Sequence, residues 1–247
     1  MSDFGKAPNG EVVKKFKLTN SNGLSMEVIN YGAIITNLYV PDSSGSLKDV
    51  VLGFNDFNNY YENNPYFGAI IGRYGNRISN GTFLLDGVRY ELKQNNGTNS
   101  LHGGLVGFDK VFWKFVEEKS NNQSLYFEYF SKDMEEGFPG NLVVGVEYIL
   151  NDSNELKIKY TASTDKKTII NLTQHSYFNL SGESSGDILD HILNIDAEYY
   201  LPVNENMIPH GPYEKVESTP FDFNIPKKIG LDIFADDIQL KVGNGYD

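Results

Sequence analysis

Apolar residues along this chain recur mostly at every second position, the repeat of a strand that buries one face. The stretch Glu155-Leu-Lys-Ile-Lys-Tyr-Thr161 is the cleanest instance: Leu156, Ile158 and Tyr160 fall on one side, Lys157 and Lys159 on the other. Residues 12–18, 24–30, 33–40, 112–116, 124–130 and 142–150 also read as strands. Turn formers separate them, at Asn20-Ser-Asn-Gly23, Pro41-Asp-Ser-Ser-Gly45, Asn121-Asn122, Gly137-Phe-Pro-Gly140 and Asn151-Asp-Ser-Asn154. Asp86-Gly87 between two β-rich runs over 82–92 predicts a two-residue type I′ hairpin. Only residues 56–62 and 231–239 carry a helical pattern. Pro202, Pro209 and Pro212 punctuate an irregular region after residue 201. A long run of strands with almost no helix predicts an all-β fold, an antiparallel β-sandwich. With no linker in view, the reading is one domain over residues 1–247.

Composition narrows the chemistry. Sixteen Tyr and sixteen Phe suit strands. A net charge of −12 would repel a phosphate backbone, so no nucleic-acid partner is expected. The absence of cysteine removes disulfides, thiolate metal sites and a thiol nucleophile. No apolar run approaches the ~18 residues of a membrane span, and Met1-Ser-Asp-Phe-Gly-Lys6 has no secretory pattern. Those two features predict a cytoplasmic protein with no membrane association, in which the sequons at Asn80, Asn171 and Asn179 are chance matches.

Candidate chemistry gathers in four places. His175, in Asn171-Leu-Thr-Gln-His-Ser-Tyr177, sits at the edge of a β-forming stretch. An imidazole there suits proton transfer and equally suits a satisfied structural histidine. Arg77, beside Asn76 in the glycine-rich stretch 68–81, offers a planar fork of donors for hydroxyls or a carboxylate. A structural salt bridge is the competing reading. This stretch lacks the Gly-Lys-Ser/Thr ending of a phosphate loop. His102 precedes two glycines that would let backbone pass close to a ligand; the alternative is a solvent-exposed loop histidine. The chain ends on Gly243-Asn-Gly-Tyr-Asp247. No Gly-x-Ser-x-Gly elbow is present, and His102 and His175 lack zinc-ligand spacing, so no metal is expected. The acidic pair Glu135-Glu136 reads as a solvated loop.

Taken in order, Gly72-Arg-Tyr-Gly-Asn-Arg-Ile78, Gly81-Thr-Phe83, Asn99-Ser-Leu-His-Gly-Gly104, Gln174-His-Ser-Tyr-Phe-Asn-Leu180, Thr219-Pro-Phe-Asp-Phe223 and Gly243-Asn-Gly-Tyr-Asp247 resemble the galactose mutarotase (aldose 1-epimerase) family over nearly the whole chain. The resemblance implies a β-supersandwich that interconverts the α and β anomers of a free hexose, with no cofactor. It implies His175 as general acid, His102 as a sugar contact near the ring oxygen, Asn76, Arg77 and Asp247 as hydroxyl binders, and Tyr177 as a wall of the site. It further implies a general-base glutamate and a binding glutamine beyond Gly-Tyr-Asp247, of which residues 1–247 hold no counterpart. The expectations are therefore a sandwich lacking its C-terminal strands and no turnover by residues 1–247 alone. A non-catalytic sugar-binding relative of the same fold is the alternative. A hexose-6-phosphate epimerase, which would need extra cations for the phosphate, fits the acidic chain less well.

Overall fold

In a computed structural model, residues 1–246 are described. The chain divides into two compact units, residues 1–183 and the segment from Ser184 onward. The strands of the first unit are β1 (Ser2–Lys6), β2 (Val12–Thr19), β3 (Ser25–Ile29), β4 (Ile35–Pro41) and β5 (Leu47–Asp49), then, after helix α1 (Phe57–Asn63), β6 (Ile70–Ile71), β7 (Arg77–Ile78), β8 (Thr82–Leu85), β9 (Val88–Glu91) and β10 (Ser100–Leu101). They continue with β11 (Lys114–Phe115), β12 (Ser124–Ser131), β13 (Leu142–Leu150), β14 (Leu156–Thr164) and β15 (Thr173–Gln174).

Two antiparallel sheets form the frame, one of five strands in the order β1-β2-β3-β4-β5 and one of four in the order β11-β12-β13-β14. Each is a meander of sequence neighbours, the pairing that short polar turns favour. Alternation decides the faces: on β13, Leu142, Val144, Val146, Tyr148 and Leu150 are all buried. They pack with Phe127 of β12 against Phe16, Leu18, Met26, Val28 and Ile35 of the other sheet, so the core lies between two stacked sheets. Phe16 meets Phe127 edge-on with ring centroids 5.3 Å apart, a geometry that aromatic quadrupoles favour. The buried Tyr148 hydroxyl donates to the Ala33 carbonyl at 2.6 Å, which ties β13 to the entry of β4 and satisfies the hydroxyl. The antiparallel sandwich predicted from alternation is the observed architecture.

Local expectations hold where local rules dominate. Asp86 and Gly87 have φ values of 50° and 78° between β8 and β9, as a primed turn requires. Helix α1 starts at its Asp56 cap, whose carboxylate accepts the Asn59 N–H at 3.1 Å. Strand β1 is an element the periodicity does not announce. It is short and polar and exists by pairing with β2.

The second unit is described by itself. It holds the paired short strands β16 (Ile192–Leu193) with β19 (Lys227–Lys228) and β17 (Tyr199–Tyr200) with β18 (Glu214–Lys215), and helix α2 (Ile238–Gly243). The 231–239 helix expected from the pattern is corrected: the helix begins at Ile238, because the Asp237 carboxylate accepts the N–H groups of Gln239 and Leu240 and so fixes the start there. Aromatics organise this unit. Tyr200 stacks on Phe221 at 4.7 Å, and Tyr246 meets Phe221 and Phe223 edge-on. Among the described residues no helix is long and apolar enough to cross a membrane.

Candidate active site

Strand β15 ends immediately before His175. It pairs antiparallel with β6, Gln174 opposite Ile70, and the ladder runs on through the His175 N–H to Ala69 O at 2.9 Å and the Gly68 N–H to His175 O at 3.1 Å. The Gln174 side chain fixes the bend that follows. Its amide donates to Gly68 O at 3.0 Å and to Ser176 Oγ at 2.7 Å, and its carbonyl accepts the Ser176 N–H. The imidazole is thus carried on backbone pinned from both sides, half-buried.

Strand β10 ends immediately before His102 and pairs with β7, with Leu101 opposite Arg77. That register draws His102, Asn76 and Arg77 together. The His102 N–H donates to Asn76 O at 3.1 Å, and the Asn76 N–H donates to His102 Nδ1 at 3.0 Å. An Nδ1 that accepts a backbone N–H has no proton of its own, so the ring proton sits on Nε2. Burial, then the nearby His175, Arg77 and Lys110, push the His102 pKa down to about 4. His102 is therefore neutral at physiological pH. It is half-buried and held, not the solvent-exposed loop histidine that was the alternative.

The two imidazoles, separated by 73 positions of sequence, face each other with ring centroids 5.2 Å apart at 86°. Tyr177 lies 5.1 Å from the His175 ring. Arg77 donates from Nε to Asn96 Oδ1 at 2.9 Å and from Nη1 to Asn76 Oδ1 at 3.4 Å. Among the described residues no carboxylate pairs with Arg77 and nothing pairs with its Nη2, so the salt-bridge reading has no partner. Asp247 lies outside the described residues. Among the described residues no group of three metal-ligating side chains forms.

The loop after His102 revises two sequence expectations. A Cβ on Gly103 would overlap the Gly72 carbonyl oxygen, and one on Gly104 would overlap the Glu136 carboxylate. Both glycines have φ near 100°. What passes close to these glycines is therefore the protein's own chain. Glu136 accepts the Leu105 N–H at 2.8 Å, and Glu135 accepts the Tyr129 hydroxyl and the Ser131 hydroxyl. The acidic pair is a half-buried brace rather than a solvated loop, because Glu136 meets a donor from the distant loop after His102 and Glu135 meets hydroxyls of the preceding strand.

Sequence reasoning passed over Arg73. It is 2% exposed, and its guanidinium donates to the carbonyl oxygens of Pro139 and Gly140 and to Ser131 Oγ. It also passed over Tyr66, whose ring lies 4.7 Å from His102 and 5.6 Å from His175, and over Asn96. Asn64-Pro-Tyr-Phe-Gly68 reads as a turn, which hides a site aromatic.

The aldose 1-epimerase family model matches residues 14–247. Galactose mutarotase of Sus scrofa is 46% identical over 230 residues, which cover 93% of this chain and 66% of that protein. Galactose mutarotase of Homo sapiens is 45% identical over 245 residues, 99% of this chain and 69% of that protein. Aldose 1-epimerase of Escherichia coli (strain K12) is 41% identical over 241 residues, covering 98% and 68%. The crystal structure of galactose 1-epimerase from Lactobacillus acidophilus NCFM superposes with a TM-score of 0.87 at 30% identity, over all of this chain and 71% of that one. The chain spans about two thirds of the length of the curated relatives it matches. A sandwich of this topology, two facing histidines and a family model matched over almost every residue have one common account: the chain belongs to the aldose 1-epimerase family.

Proposed function

We propose that this site binds a free hexose such as galactose or glucose and carries the acid side of its mutarotation. In that reaction a proton reaches the ring oxygen, the C1–O5 bond breaks, and the C1 hydroxyl loses its proton as the aldehyde forms. Rotation about C1–C2 and reclosure give the other anomer. In this reading His175 protonates the ring oxygen and takes the proton back on closure. His102 stays neutral and donates from Nε2 to a sugar oxygen. Arg77 offers Nη2, and Asn76 its amide, to sugar hydroxyls, while Tyr177 walls the site and Asp247 binds a further hydroxyl. The observation that carries the reading is the pair of imidazoles 5.2 Å apart, one of them locked neutral by the Asn76 N–H. Two such groups can hold one exchangeable proton beside a neutral polar ligand. Galactose and aldose 1-epimerase activity in the relatives' names supports the same reaction.

The reaction also needs a base. Asp109, a carboxylate within electrostatic reach of His175, is buried against Lys110 and does not suit the role. We assign no residue of 1–247 to it. Sugar binding without unaided turnover is therefore the second reading for residues 1–247.

Polarimetry of freshly dissolved α-galactose tests both. Residues 1–247 are expected to accelerate anomerisation only when acetate is supplied as an external base. His175→Asn is expected to lower that acetate-dependent rate by ~10²-fold or more. Arg77→Lys keeps the charge but loses the planar fork, and is expected to weaken galactose binding with little change in melting temperature. An unchanged rate in His175→Asn overturns the acid assignment. Fast anomerisation without acetate shows that the chain holds its own base.

A further inference from the structure

Tyr66 holds its backbone at φ 67°. A bulky side chain occupies that left-handed region only where the surroundings hold it there, and such positions gather at functional sites. The Tyr66 ring packs edge-on to His102 at 73° and tilted to His175 at 35°, so it touches both imidazoles at once. The ring is held in turn. The Lys110 ammonium lies 5.4 Å from its centroid, within cation–π range. Lys110 is anchored by Asp109, with Nζ 3.0 Å from Oδ2. Asp109 is itself unusual, because its side chain is 5% exposed and its Oδ1 has no hydrogen-bond partner. Burial raises its pKa, and Lys110 acts against that rise. A carboxylate left half-unpaired in the interior is costly to the fold, and the sandwich core needs no charge there. Its visible consequence is a cation fixed over Tyr66.

We propose that Tyr66 is a positioning residue for the two-histidine site, with Asp109 and Lys110 as the brace that holds its ring against His102 and His175. The kinetic meaning of this brace rests on the proton-transfer reading above; the geometry does not. The charged and titratable groups that face these rings are His175, Arg77 and Lys110 around His102, and Lys110, Asp109, Arg77 and Tyr177 around Tyr66. Burial raises the Tyr66 phenol, so it stays protonated at neutral pH and acts as a wall rather than a charge. A ring touching both imidazoles restricts their rotamers, and small displacements of reacting groups are expensive in rate.

The test is NMR of the chain with labelled histidines, which needs neither turnover nor sugar. Tyr66→Leu removes the ring and should abolish its ring-current shifts at both His102 and His175. Tyr66→Phe should keep them. Lys110→Met should displace both histidine signals toward the Tyr66→Leu positions, and Lys110→Arg should restore them. Asp109→Asn, similar in shape but uncharged, should reproduce Lys110→Met in milder form. Added galactose then reads the site: its perturbation of the histidine signals should weaken in Lys110→Met and return in Lys110→Arg. Histidine signals unmoved in Lys110→Met overturn the brace, and signals unmoved in Tyr66→Leu overturn the positioning role. If the histidines respond to these substitutions but never to galactose, the sugar reading fails and the brace stands.

Discussion

At the scale of single residues, the decisive contact is the Asn76 N–H on His102 Nδ1. It makes the imidazole an acceptor on one side and a donor on the other, and the burial of that ring beside His175, Arg77 and Lys110 has a consequence for stability. His102 titrates near 4 when folded, below its ordinary value near 6.5. Between those values the unfolded chain binds more protons than the native one, so stability rises with pH. The contribution is complete above about pH 6.5 and is lost as pH falls toward 4. Because the ring is only half-buried, its share is at most about 1–2 kcal/mol after solvent screening. His102→Asn keeps a side chain that tolerates φ 54° and removes the titration. Melting temperatures from pH 7 to pH 4 should therefore fall less steeply in His102→Asn than in the wild type. Parallel slopes would show that His102 titrates alike in both states.

At the scale of elements, the site depends on loops tied to one another over long sequence distances. Arg73 and Arg77 stand four residues apart in one glycine-rich stretch, and the fold gives them opposite uses. Arg77 is half-exposed beside the histidines, whereas Arg73 gathers carbonyl oxygens at 131–140 from the interior. Burial lowers the Arg73 pKa, and the Glu135 charge opposes the change. Arg73→Met would leave Pro139 O, Gly140 O and Ser131 Oγ without their donor. Buried groups so orphaned cost about 1–3 kcal/mol each, so a total loss of about 3 kcal/mol or more is expected. Urea unfolding checks this, with the midpoint lowered and the slope unchanged. A loss under about 1 kcal/mol would mean that water replaces the guanidinium at little cost. Arg73 lies between Gly72 and Tyr74 and Arg77 between Asn76 and Ile78, neighbours that do not themselves dictate burial, and it is the distant segment 131–140 that takes up Arg73.

At the scale of the whole molecule, the two units differ in how they are held. Residues 1–183 contain both sheets and both buried clusters, including Trp113, Phe127 and Tyr148. Unit two relies on two-stranded pairs and an aromatic group around Tyr200, Phe221 and Tyr246. Residues 1–183 are therefore expected to fold when expressed alone, with β-type circular dichroism and one cooperative thermal transition. Phe127→Ala in that fragment should cost about 3–5 kcal/mol. A fragment with no cooperative transition would show that the sandwich needs the residues after 183.

The sequence by itself determined the long strands β2–β4 and β12–β14, their antiparallel meander and the hairpin at Asp86-Gly87. Alternation, turn chemistry and pairing of neighbours are local, and local rules act on what is adjacent in the chain. It also named His102, His175, Asn76 and Arg77, through residue types and motif order. Only the tertiary structure decided how they meet. The pairing of β15 with β6 joins Thr173 with Ile71, 102 positions apart, and that of β10 with β7 joins Ser100 with Ile78, 22 positions apart. Those registers set the 5.2 Å between the imidazoles, the tautomer of His102 and the place of Tyr66 between them. The contact with the Leu105 N–H likewise turned Glu136 from apparent surface charge into a brace. Desolvation and contact across distant segments are properties of the folded chain, and no window of sequence contains them.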